Sequence, residues 1–345
     1  MLLAVSLPPQ EAADAIRRAW DRGDAVAVGD PAALHVDEPV DPSVAAVVAT
    51  SGTTGEPRAV ELTWDGLHAM ALAVETAPHD RWLACLPFHH VAGLAVLARS
   101  WATGTPVTVV ERFEDGTGAT LVSLVPTQVR RLLAAHVDLS PFRLILVGGG
   151  PVPDDIRALP NTVATYGMTE TWGGVVHDGH PLTGVEITLA PDDREILVRS
   201  PTVMRGYRGD EHATAAAFTE DGRLRTGDIG RWAPDGRLEV VDRKRDIVIT
   251  GGVNVSPGEV ERALAGHPAV ADVCVAGAPD DEWGERVVAF VVPEDPTDPP
   301  RLAELRDYAR GRLSPAQLPR EVVIVDAVPR TAGGKPVRRH LLERR

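Results

Sequence analysis

Thr50-Ser51-Gly52-Thr53-Thr54-Gly55-Glu56-Pro57-Arg58 follows directly on the apolar run Val44–Ala49. The run reads as a buried strand, so the polar stretch is a loop that leaves a strand end. Gly52 and Gly55 let the backbone turn and come close to a ligand, and the neighbouring hydroxyls can donate to phosphate oxygens. Taken alone, the stretch is either such a phosphate loop or a polar hairpin of small residues. It lacks the G-x-x-x-x-G-K-[ST] pattern, which disfavours a kinase-type NTPase.

Outward from this loop, apolar runs alternate with helix-like segments. Thr63 is placed to cap a helix running towards Thr76. Arg81–Leu86, Pro106–Val110, Leu121–Val125, Leu144–Val147 and Thr162–Thr165 read as strands, while Leu94–Ala102, a segment from Thr127 and Asp154–Leu159 read as helices. This alternation predicts a largely parallel sheet covered by helices. After Gly184 the texture changes to short strands, Glu186–Leu189, Glu195–Arg199 and Leu238–Val241, separated by turn residues. That suits a small antiparallel sheet or barrel. Beyond Asp242, Ser256-Pro257-Gly258-Glu259 is a capping box with proline at the first helical position. Strands at Val270–Val275, Val287–Val292 and Glu321–Val325 and a helix at Leu302–Leu313 complete a compact α+β region. The expected fold is therefore α/β: a large domain over residues 1–242, with mixed and parallel sheets plus the small antiparallel one, then a small domain over 243–345.

Composition agrees. A chain of 345 residues, 44% apolar and 24% charged, suits a soluble protein with one large and one small domain. A net charge of −14 argues against a general nucleic-acid binder, though local amides and cations can still hold a nucleotide. Cys85 and Cys274 lie in apolar runs and make no metal-ligand spacing, so buried free thiols in a reducing cytoplasm are expected. Met1–Pro8 has no basic start and is too short to span a membrane, so neither a signal peptide nor membrane insertion is expected.

Four further stretches carry chemistry. Tyr166-Gly167-Met168-Thr169-Glu170 follows a strand; its aromatic ring can stack on adenine, and Glu170 offers oxygen to Mg²⁺. A plain strand-to-loop turn fits the same five residues. Thr226-Gly227-Asp228 puts a carboxylate where ribose hydroxyls can reach it, although aspartate at a turn is common for local reasons. Gly148-Gly149-Gly150-Pro151 lets backbone approach a flat ring, or is only a turn. Pro329-Arg330-Thr331-Ala332-Gly333-Gly334-Lys335 sets an ammonium on a glycine loop, where it can reach developing negative charge or merely solvate a tail.

In this order, these pieces together with Asp242–Asp246 and Gly251–Glu259 resemble the acyl- and aryl-CoA synthetase branch of the adenylate-forming superfamily, from about residue 43 onward. The resemblance implies that a carboxylate attacks the α-phosphate of ATP, giving acyl-AMP, and that coenzyme A then takes the acyl group. It implies that Thr50, Ser51, Gly52, Thr53, Thr54 and Gly55 hold the β- and γ-phosphates. Gly149, Gly150 and Pro151, with Tyr166, Gly167, Met168 and Thr169, surround the nucleotide, and Glu170 holds Mg²⁺. Asp228 and Arg243 contact ribose, Arg245 is the hinge of a mobile C-terminal lid, Gly251 and Gly252 line the CoA channel, and Lys335 stabilises the adenylation step. His90, in Pro87-Phe88-His89-His90-Val91-Ala92-Gly93, matches a family histidine between the acyl site and the thiol channel. Two departures stand out. Arg58 replaces the usual lysine, which keeps the charge and alters its geometry. Only 49 residues precede the loop, fewer than in most relatives, and a homodimer is expected to cover the surface this leaves.

Leu121-Val122-Ser123-Leu124-Val125-Pro126-Thr127-Gln128-Val129-Arg130-Arg131-Leu132-Leu133 resembles a segment of the o-succinylbenzoate–CoA ligases of menaquinone biosynthesis. The resemblance implies that Arg131 faces the second carboxylate of a dicarboxylic acid. An amphipathic helix with both arginines in solvent is the other reading. A ligase for another aryl or acyl acid, and an adenylation enzyme that loads a carrier protein, stay open. So does a catalytically silent nucleotide-binding scaffold, which the retention of Glu170 and Lys335 disfavours.

Overall fold

The computed structural model describes residues 1–50, 57–113, 117–330 and 336–343. It contains two compact units. The first comprises Met1–Thr188, Leu197–Thr226 and Pro234–Leu238, and the second Leu189–Ile196, Gly227–Ala233 and Glu239–Arg345.

In the first unit, β1 (Leu2–Val5), β2 (Ala25–Val28) and β3 (Val44–Ala49) run parallel, and β4 (Ala59–Thr63) returns antiparallel to β3. A short strand, β14 (Gly206–Tyr207), adds antiparallel to β4 and completes the order β1-β2-β3-β4-β14. Between β1 and β2 runs α1 (Pro9–Asp21), which buries Ala12, Ile16, Ala19 and Trp20 along one helical stripe. The Thr63 hydroxyl caps α2 (Trp64–Leu72) by accepting from the Gly66 amide at 3.1 Å. This helix stops at Leu72, four residues before the expected Thr76, whose hydroxyl instead accepts from that of Thr105.

The second sheet has seven strands in the order β11-β10-β9-β8-β7-β5-β6. Its parallel body is β5 (Trp82–Ala84), β6 (Val107–Val109), β7 (Leu121–Leu124), β8 (Leu144–Val147) and β9 (Thr162–Met168). β10 (Gly173–His177) and β11 (His180–Pro181) turn back antiparallel. The helices α3 (Val91–Thr103), α4 (Pro126–Ala134) and α5 (Asp154–Arg157) lie between these strands in sequence. Burial on both faces explains the continuous apolar runs: Leu83, Val122, Leu124, Ile145 and Val147 share one core cluster. Asp80 pins the start of β5, accepting two bonds from Arg143 (2.6 and 3.1 Å) and one from the Thr120 hydroxyl (2.7 Å).

A third, four-stranded sheet takes the order β12-β13-β15-β16, from β12 (Glu186–Leu189), β13 (Glu195–Arg199), β15 (Leu224–Trp232) and β16 (Leu238–Arg243). Between β14 and β15 lies α6 (Glu211–Ala217), capped by Asp210. In the second unit, β17 (Val248–Thr250), β18 (Val253–Val255), β19 (Val270–Asp280), β20 (Gly284–Pro293) and β21 (Glu321–Ile324) form the last sheet. Ser256 caps α7 (Pro257–Leu264), with its hydroxyl accepting from the Glu259 amide at 3.1 Å. α7 and α8 (Leu302–Ala309) bury Val260, Leu264 and Leu305 in the core that includes Val275, Val287 and Val291. The opposite face of β19 and β20 packs Cys274 and Phe290 with Leu341 of α9 (Arg338–Leu342). The architecture is the expected mixed α/β one, with parallel and mixed sheets plus antiparallel ones. Both cysteines are buried free thiols, pushed up to about 11 (Cys85) and about 12 (Cys274) mainly by loss of solvent. Among the described residues, no helix is long and apolar enough to cross a membrane.

Candidate functional site

The parallel strands β7, β8 and β9 are in register at Leu124, Val147 and Ala164. Their following segments therefore leave the same edge of the sheet, the carboxyl edge at which open α/β sheets bind ligands. After β8 comes Gly148-Gly149-Gly150-Pro151, with Gly149 at φ +81°. β9 runs on through Tyr166, Gly167 and Met168 into a single 3₁₀ turn, Thr169–Thr171, which carries Glu170. Position 167 accepts only glycine at this geometry, since a Cβ there would lie 1.8 Å from the Gly173 carbonyl oxygen. That close approach lets β10 fold back and sets the turn in place.

β14 holds this turn at two points. The Glu170 carbonyl accepts from the Met204 amide at 2.7 Å, just ahead of β14, and the Tyr207 hydroxyl donates to Glu170 Oε1 at 2.9 Å. The Arg58 guanidinium lies 5.2 Å from the Tyr207 ring centroid. Burial and the Glu170 charge push the Tyr207 phenol up, so it remains a donor at neutral pH. Tyr207 was not among the residues singled out from sequence. No group of three or more histidine, cysteine or carboxylate side chains able to hold a metal occurs among the described residues. A single half-buried carboxylate suits Mg²⁺, which keeps waters and binds through one or two carboxylates plus substrate phosphates.

Beside this edge, α3 and the strand ends enclose a cavity lined by Leu86, Ala95, Arg99, Ser123, Gly149 and Gly174, among others. Its cation is Arg99, 5% exposed, with Nε lacking a hydrogen-bond partner and the guanidinium 5.6 Å from the Trp82 ring centroid. Burial lowers Arg99 to about 10, so it keeps its charge at neutral pH. Arg131, the cation expected from sequence, sits elsewhere: it is exposed on α4, whose buried residue is Val129, and it does not line the cavity. Arg130 pairs with Asp155 at 3.3 Å on the same surface. His90 precedes α3 and is exposed, next to the cavity residue Val91. Partial desolvation, then the neighbouring His89 ring at 4.3 Å, lowers its proton affinity.

In the second unit, Arg243 Nε and Asp228 Oδ1 are 2.7 Å apart, with Asp228 buried. Lys244 bridges Asp193 (2.6 Å) and Glu195 (3.0 Å). The exposed Arg245 lies 3.6 Å from Asp246, which also pairs with Arg338 at 3.1 Å. Gly251 and Gly252, at φ +58° and +77°, form the two-residue turn of the β17–β18 hairpin, which requires positive φ at both positions. Ser51, Gly52, Thr53, Thr54, Gly55 and Lys335 lie outside the described residues; Thr50, at the loop's start, accepts from the Arg58 amide at 3.2 Å.

Residues 6–208 match the family model "AMP-binding enzyme", and residues 259–335 match "AMP-binding enzyme C-terminal domain". The chain is 39% identical over 343 residues to a Mycobacterium tuberculosis protein named "Probable 2-succinylbenzoate–CoA ligase", covering 90% of this chain and 87% of that one. It is 36% identical to the 2-succinylbenzoate–CoA ligase of Listeria monocytogenes, covering 87% of this chain and 70% of that one. Two solved structures of the Bacillus subtilis o-succinylbenzoate CoA synthetase, each 28% identical, superpose over 99% of this chain. The one with the acyl-adenylate intermediate has a TM-score of 0.80 and 87% of its chain covered. The one with ATP and magnesium has 0.82 and 88%. By sequence and by fold, the chain belongs to the AMP-binding enzyme family.

Proposed function

We propose that this chain is an AMP-forming acid–CoA ligase that converts 2-succinylbenzoate to its CoA thioester through an acyl-adenylate. The observation that carries the substrate is Arg99. An uncompensated buried cation is costly, and a ligand that brings a carboxylate to it removes that cost. A dicarboxylic acid leaves one carboxylate against Arg99 while the other reacts. The names of the relatives support the same acid.

The reacting carboxylate is already ionised at neutral pH, so adenylation needs charge neutralisation at the α-phosphate more than it needs a base. Lys335 supplies that charge. Glu170 would hold Mg²⁺, which neutralises triphosphate charge when bound. Thr50 and Ser51–Gly55 bind the β- and γ-phosphates, Gly149–Pro151 and Tyr166–Thr169 flank the nucleotide, and Asp228 with Arg243 contacts ribose. His90 stands at the acid and thiol side, and Gly251 and Gly252 guide coenzyme A. Residues 243–345 act as a lid that turns about Arg245. A cytoplasmic homodimer is the working form.

Incubation with ATP, Mg²⁺, coenzyme A and a panel of acids tests this reading. The expected outcome is AMP release with thioester formation fastest on 2-succinylbenzoate. Faster turnover of a monocarboxylate such as 4-oxo-4-phenylbutanoate would overturn the substrate, and absence of AMP the reaction class. Transfer to a carrier protein but not to coenzyme A would overturn the acceptor.

A further inference from the structure

His177 closes β10 with its Nε2 buried and without a hydrogen-bond partner. That nitrogen lies 3.6 Å from where a Cβ on Gly174 would stand, and Gly174 lines the Arg99 cavity. Across the sheet, His177 pairs with Thr165 of β9, another cavity residue, and with the exposed His180 of β11. The charged groups facing the ring are Arg99, from the helix packed over β10, and Asp178, which follows it and accepts from the Ala164 amide at 2.8 Å. Burial first, then Arg99, outweighs Asp178 and lowers the imidazole to about 4, so it is neutral at physiological pH.

A neutral imidazole with a free buried nitrogen, next to the cavity residues Gly174 and Thr165, can join Arg99, whose Nε lacks a partner, in a two-point receptor for an anion. We propose that His177 is a specificity residue of the acid cavity: its Nε2 hydrogen-bonds the carboxylate held by Arg99, and the ring takes up a proton as the dicarboxylate binds. The inference rests on Arg99 being the acid-binding cation. The sign follows from charge. A bound carboxylate offsets the repulsion from Arg99 and adds attraction, so proton affinity is higher in the complex than in the free protein. Binding therefore tightens as pH falls through the bound-state pKa towards the free-state one, and the linkage fades above the bound-state value.

Calorimetric titration of 2-succinylbenzoate in buffers of different ionisation enthalpy, from about pH 7.5 to about pH 5.5, measures the uptake while both carboxylates of the acid stay ionised. The wild-type chain is expected to take up a growing fraction of a proton as pH falls. His177→Gln is expected to bind about tenfold more weakly with the uptake abolished. Uptake unchanged in His177→Gln overturns the proposal. Arg99→Gln separates the two readings: if it binds the acid like wild type, the Arg99 assignment fails whatever His177 does. A second measurement needs no variant. The His177 Cε1–H resonance, followed by pH titration with and without acid, should report a higher pKa in the complex. Equal values overturn the proposal.

Discussion

Arg99 sits in a helix whose neighbouring positions, Leu94, Ala95, Leu97 and Ala98, are buried and apolar, and it is itself 5% exposed. Truncating one partner of a buried charge pair costs about 2–5 kcal/mol, or roughly 30-fold and more in affinity. Arg99→Gln should therefore lower kcat/KM for 2-succinylbenzoate by at least about 30-fold, leave KM for ATP nearly unchanged, and not lower Tm. Steady-state kinetics with each substrate varied, beside a melting curve, checks this. A fall in Tm with equal loss for both substrates would make Arg99 structural. The signal was present in the sequence: a cation in an apolar helix with no acid three or four residues away, since positions 95, 96, 102 and 103 are Ala, Val, Ala and Thr. Resemblance drew attention to Arg131 instead, and linear similarity does not say which way a helix faces. Glu170 is singled out by sequence because oxygen ligands for a hard cation have few substitutes. Tyr207 is not, because its partner is a carboxylate remote in sequence.

The turn that carries Glu170 has only three residues, too few to hold a carboxylate by its own hydrogen bonds. Beside the Thr171 hydroxyl, which accepts from the Met168 amide at 3.0 Å within the turn, it is held by the Met204 amide, just ahead of β14, and by the Tyr207 hydroxyl. Tyr207→Phe removes one of these holds without changing charge or shape. It should raise several-fold the Mg²⁺ concentration needed for half-maximal AMP formation, and weaken ATP binding by about 1 kcal/mol only when Mg²⁺ is present. Magnesium titrations and calorimetry with and without the ion test this; equal loss at every concentration would remove Tyr207 from that role. Elements of this kind escape sequence reading for a physical reason. A two-residue strand has no period, so β14 exists only through its pairing with β4. Long apolar runs behave oppositely: Leu144–Val147, Glu186–Leu189 and Glu195–Arg199 fold over the residues their pattern marks out. Helix ends fall between these cases. α8 stops at Ala309 rather than Leu313 because Arg310 turns extended, at ψ 128°.

Across the whole molecule, chemistry-bearing residues follow one another in an order that was readable, whereas the two compact units are discontinuous in sequence. Contacts between residues far apart in the chain set that discontinuity, and no local pattern records them. The order itself separates two half-reactions by their charge demands. Adenylation brings an anion to a polyanion, so a fixed cation at the α-phosphate lowers the barrier directly. Thioester formation has no such need, because the pyrophosphate has left and the thiol attacks an already activated carbonyl. Lys335 ends the segment that matches the C-terminal family domain, and it should therefore matter to one step alone. Lys335→Ala is expected to slow acyl-AMP formation by about 10²–10³-fold, the usual effect of losing one preorganised stabilising group, and to change the second step by no more than a few-fold. Pyrophosphate exchange reads the first step, and consumption of supplied acyl-adenylate with coenzyme A reads the second. If both fall together, the charge at Lys335 serves the fold or nucleotide binding in general, and another cation must neutralise the α-phosphate.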